Sequence, residues 1–78
     1  MEYNGWKNRE TWNVVLWMFN DFQAYQVSKA YKKYPQPFLS FRDDLKKGWF
    51  KASSTPDGVS LWDPTLDIPA LNEAMKEA

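Results

Sequence analysis

Neither cysteine nor histidine occurs among the 78 residues. The first absence excludes disulfides and thiolate chemistry. The second removes the commonest metal ligand and the commonest general acid–base group. Glycine is scarce: Gly5, Gly48 and Gly58 stand far apart, so no glycine-rich loop exists to cradle a phosphate. No apolar run approaches the roughly 18 residues that a membrane-spanning helix needs. Glu2, Asn4, Lys7, Arg9 and Glu10 interrupt any signal-peptide pattern at the start. A cytoplasmic protein with its own initiator methionine, and no membrane association, is the expectation.

What the chain has in quantity is aromatic mass: five Trp, four Tyr and five Phe, 18% of the residues. A chain this short struggles to bury enough surface and needs a staple of some kind. Each buried aromatic contributes roughly 2–3 kcal/mol by area, so these rings can hold a small core, with self-association into a homo-oligomer as a further aid.

Ten basic residues balance ten acidic ones, but unevenly along the chain. Residues 29–51 hold Lys29, Lys32, Lys33, Arg42, Lys46, Lys47 and Lys51 against Asp43 and Asp44, a net of +5. Residues 52–78 hold Lys76 against Asp57, Asp63, Asp67, Glu73 and Glu77, a net of −4. Two solvated faces that attract each other account for this pattern, and so does a basic binding stripe.

The spacing predicts an all-α domain of about four helices, one unit over residues 1–78. Asn8 stands as N-cap before Arg9, Glu10 and Thr11. Trp12, Val15, Leu16 and Phe19 then give one apolar stripe, widened by Val14, Trp17 and Met18. Asn20-Asp21 either breaks this helix or caps the next. A second helix over 22–34 turns Ala24, Val27, Ala30, Tyr31 and Tyr34 inward and ends at Pro35. Ser40 and Asp43 resemble a capping box for a third helix with Phe38, Phe41, Leu45 and Trp49 on its apolar edge. Thr55-Pro56-Asp57-Gly58 is a turn, with "WFKA" and "VSLW" as the arms of a small hairpin. Asp67 caps a last helix with Pro69 in its first turn and Ile68, Leu71 and Met75 inward.

Little in this chain supports catalysis. Asp43 and Asp44 are adjacent, so on a helix they diverge by about 100° and act instead as first-turn carboxylates. Asp57, Asp63 and Asp67 match no calcium-loop spacing and have local work in turns and caps. A non-enzymatic protein without metal or cofactor is expected. Trp, Tyr, Phe, Met and Arg are the residues enriched at interface cores. Trp17, Met18 and Phe22, at the edge of the stripe, and Trp62, in a loop, are the candidate apolar contacts. Lys29, Lys32, Lys33, Arg42, Lys46 and Lys47 are the candidate charged contacts. The same basic residues with their neighbouring aromatics give nucleic-acid binding as the alternative.

The stretch "YNGWKNRETWNVVLWMFND", Tyr3 to Asp21, resembles a family of small uncharacterised proteins of phages, mobile elements and some bacteria. The shared pattern is met by Asn4, Gly5, Trp6, Asn8, Glu10, Thr11, Trp12, Leu16, Trp17, Asn20 and Asp21, with Val14 or Val15 at its valine. A second block looks similar over Thr55 to Val59, Asp63-Pro64 and Leu66-Asp67. The resemblance implies a small accessory protein, acting in the host cytoplasm if phage-encoded. It would bind and modulate a host protein complex, inhibition of a defence system such as a CRISPR effector or a restriction enzyme being one such role. It implies no catalytic residue, and it names neither the partner nor the direction of the effect.

Overall fold

The computed structural model describes residues 5–47 and 54–77, the side chains of residues 46 and 47 excepted. Four helices make up its regular structure: α1 (Arg9–Asn20), α2 (Phe22–Lys29), α3 (Pro37–Lys47) and α4 (Ile68–Lys76). The all-α reading holds among the described residues, and no helix there is long and apolar enough to cross a membrane.

Local chemistry sets most helix ends. Asn8 is extended and its side chain accepts from the Thr11 N–H at 2.9 Å, satisfying an orphan donor of α1. Asp21 does two jobs. Its extended backbone stops α1, its N–H bonding to the Trp17 carbonyl at 2.9 Å, while its carboxylate caps α2 through the Ala24 N–H at 2.9 Å. Asp67 caps α4 through Ala70 N–H at 3.3 Å, with a proline in the first turn, where its missing donor costs nothing.

Two boundaries differ from expectation. The second helix stops at Lys29, and residues 30–34 continue in tighter i to i−3 turns, with Ala30, Tyr31, Lys32 and Tyr34 N–H bonded three residues back. This winding accompanies the burial of Tyr31, whose ring meets Phe41 edge-on at 5.9 Å. The third helix begins at Pro37, so Ser40 lies inside it and forms no capping box. Its cap comes from another helix: Asn72 of α4 accepts from the Phe38 N–H at 2.9 Å. Asp43 and Asp44 consequently sit beyond the first turn, where Asp44 accepts from the Tyr31 hydroxyl at 2.6 Å.

The core runs through all four helices. Val14, Met18, Phe38, Phe41, Leu71 and Met75 are fully buried, joined by Leu61 from the α3–α4 connection. Trp6, Trp17 and Trp62 are half-buried and pack around its edge, so these indoles wrap the core rather than fill it. The buried face of α1 is Thr11, Asn13, Val14, Val15 and Met18, so of the expected stripe Trp12, Val15, Leu16 and Phe19 only Val15 is buried, and Val14 and Met18, expected at its margin, take the centre. That is a rotation of one residue, about 100°, and it leaves Leu16 at 40% exposure.

The hairpin expected around Thr55–Gly58 reduces, among the described residues, to a single antiparallel bridge between Ser54 and Ser60. The first arm, Trp49 to Ala52, and Gly48 lie outside the described residues. The turn itself forms: the Gly58 N–H bonds to the Thr55 carbonyl at 2.9 Å, and Gly58 takes φ +91°, a conformation that glycine adopts without strain. Two bonds from Thr65, one from its hydroxyl and one from its N–H at 2.8 Å, then hold the Asp63 carboxyl below its ordinary range.

Candidate partner-binding surface

The polar residues of the opening stretch have structural duties that explain the rotation of α1. Asn8 Nδ2 donates to the Thr65 carbonyl at 2.6 Å, and the Asp67 N–H donates to Thr11 Oγ1 at 2.9 Å. Asn13, 2% exposed, donates to Asp57 Oδ2 at 2.8 Å and accepts from Thr55 Oγ1 at 2.6 Å. Thr55 Oγ1 in turn accepts from the Val59 N–H at 3.2 Å. One polar seam therefore fastens α1 along the loop from Thr55 to Asp67. Burial of Thr11 and Asn13 is tolerable only because each is paired.

The residues predicted for partner contact do not gather into one patch. Met18 is fully buried in the core; with α1 rotated, it faces inward and offers no surface. Trp17 packs its ring 6.3 Å from Phe41 and lines a shallow groove of about 330 Å³ with Leu16, Asn20, Pro56 and Asp57. Trp62 is half-buried beneath the Arg42 guanidinium, which lies 5.4 Å from its ring centre and 5.8 Å from that of Phe38. Arg42 Nη1 also donates to the Leu61 carbonyl at 3.0 Å, so this arginine clamps two aromatics and the loop backbone.

Phe22 is different. It is 78% exposed at the start of α2. It forms the rim of a cleft of about 610 Å³ whose other walls are Gln23, Gln26, Val27, Ala30 and Tyr31. On a helix Phe22, Gln26 and Ala30 follow at i, i+4 and i+8, which is one face. Burial, and then the Asp44 bond, push the Tyr31 phenol up to about 12, so it lines this cleft as a neutral hydroxyl.

The basic residues concentrate near the same end. Lys29, Lys32 and Lys33 are all exposed on the last turn of α2 and the turns after it. Lys29 Nζ lies 5.3 Å from the Tyr25 ring centre, and Lys33 Nζ lies 5.7 Å from that of Tyr34. The side chains of Lys46 and Lys47 lie outside the described residues. Among the described residues no group of three or more acidic side chains is placed to hold a metal ion.

Sequence reasoning placed Leu16 and Ala30 inward and gave Gln23 and Gln26 no part in a binding surface. Gln26 and Ala30 could have been found from the helical position of Phe22, at i+4 and i+8 on its face. Comparison with curated proteins and with solved structures gives no match. Over residues 1–78 the chain fits, and belongs to, the family of unknown function DUF7249.

Proposed function

We propose that this chain is a small non-enzymatic accessory protein that binds and inhibits a host protein complex, with Phe22 as its apolar anchor. The observation that carries the reading is the 78% exposure of Phe22 beside an open, largely apolar cleft. A phenylalanine left in water forgoes roughly 2 kcal/mol of burial, and aromatic side chains are among those that anchor interfaces by filling a partner's pocket. Lys29, Lys32 and Lys33 supply a cationic rim, so the partner presents an apolar side chain flanked by carboxylates. Origin in a phage or mobile element, and a defence system such as a CRISPR effector or restriction enzyme as the target, follow the sequence resemblance.

The test is affinity capture from the host with the wild-type chain, Phe22→Asp, and a Lys29→Glu/Lys32→Glu/Lys33→Glu variant in parallel. A protein retained by the wild type and lost by both variants supports the reading. Capture that survives both substitutions contradicts it. Nucleic acid is the second reading, favoured by the lysine–tyrosine pairs at Tyr25 and Tyr34. It predicts recovery of DNA or RNA in place of protein, with affinity falling steeply as salt is added.

A further inference from the structure

A second cleft, of about 710 Å³, lies where Trp6 and the helices α1, α2 and α4 meet. Its walls are the rings of Trp6, Phe19 and Tyr25 and the methyl groups of Ala70 and Ala74. Glu73 on α4 and Glu77, the residue that caps its C-terminal end one turn later, bring two carboxylates to it. The three rings are half-buried, and both glutamates are exposed. Phe19 and Tyr25 meet edge to face at 5.9 Å, an arrangement that braces the two rings against each other.

Aromatic faces beside carboxylates are a setting for a cation. The quadrupole of each ring attracts positive charge to its face, and a desolvated cation gains more from it than an exposed one. Carboxylates add direct charge pairing. The fold already displays this affinity: the Lys29 ammonium lies over the Tyr25 ring at 5.3 Å. Among the described residues the Glu73 carboxylate pairs with Lys76, at 3.8 Å and on the surface, a pair weak enough to exchange. Glu77 has no ion pair among the described residues.

We infer that this cleft binds the ammonium of a lysine side chain presented by a protein partner. The ammonium sits against the rings and is neutralised by Glu73 and Glu77, while the apolar stem lies along Ala70 and Ala74. The volume favours a side chain with its flanking backbone over a lone ammonium ion, since clefts of this size take ligands of many atoms. The site goes beyond the Phe22 surface: Phe22 is not among its lining residues, and Phe22→Asp, unlike substitution of Lys29 over the Tyr25 ring, tests that surface by itself, so either proposal can fail alone.

The experiment is an NMR titration of the full-length chain, following the Trp6 indole N–H and the Ala70 and Ala74 methyl groups. The probes are an acetylated, amidated Ala-Lys-Ala peptide, its norleucine counterpart, and tetramethylammonium chloride. Saturable shifts with the lysine peptide are expected, at least fivefold weaker with the norleucine peptide and with tetramethylammonium. Glu73→Gln/Glu77→Gln, on an exposed helix face, should keep the spectrum of a folded protein and weaken lysine-peptide binding at least fivefold. Equal binding of the norleucine peptide, or no effect of the double substitution, overturns the inference. Binding of tetramethylammonium as tight as the peptide assigns the site to free amines and overturns the peptide source. Shifts of the same signals on concentrating the protein alone make the occupant a second copy of this chain, which overturns a foreign partner.

Discussion

At the scale of single residues, the polar side chains decide how α1 sits. Counting apolar residues alone favours a stripe through Trp12 and Leu16, but Thr11 and Asn13 go inside because they are bonded. Their partners lie far along the chain: Asp67 is 56 residues from Thr11, and Asp57 and Thr55 are 44 and 42 from Asn13. No local pattern announces such pairs, so this part of the fold was not legible in the sequence, and the misplacing of Met18 on the surface followed from it. Phe22, by contrast, was legible as an edge residue. Asn13→Ala removes both side-chain bonds and leaves the buried Thr55 hydroxyl without its acceptor. A loss of about 2 kcal/mol is expected, read as a lower urea midpoint with unchanged slope.

At the scale of elements, the caps divide into two kinds. Asn8, Asp21 and Asp67 each bond an N–H three residues ahead, and such caps can be read from short-range sequence. The α3 cap cannot, because Asn72 stands 34 residues from Phe38. The Ser40–Asp43 pair imitates a capping box, but Pro37 already starts the helix. The two possibilities separate by mutation. Asn72→Ala leaves the buried Phe38 N–H without its partner and should cost about 1–2 kcal/mol. Ser40→Ala, within the helix, should change stability by less than about 0.5 kcal/mol. Thermal or urea unfolding of the two variants gives the order directly, and a larger cost at Ser40 would contradict the assigned helix start.

For the whole molecule, helix count and class were legible, since apolar spacing and turn residues report them without knowledge of partners. The arrangement of surfaces was not, because it depends on which faces the packing consumes. Tyr31 ties α3 to the turns after α2 through Asp44, and this contact should show in the alkaline limb of stability. Its phenol is raised to about 12 when folded, against about 10 when unfolded. The folded state thus holds the proton more tightly, so this contribution is complete below about pH 10 and is lost as pH rises towards 12. Tyr31→Phe should be less stable than wild type at neutral pH, and the difference should narrow across that window. A constant difference up to pH 12 would contradict the assignment.

The central claim is that the fold holds without Phe22 while partner binding depends on it. The most direct measurement is the affinity of the captured partner for Phe22→Asp against wild type, on protein whose unfolding midpoint is known. With 78% of Phe22 in solvent, stability should stay within about 0.5 kcal/mol of wild type. Affinity should fall by about 30-fold or more, the effect of losing an anchor worth about 2 kcal/mol. An unchanged affinity, or a variant that unfolds, would contradict the claim.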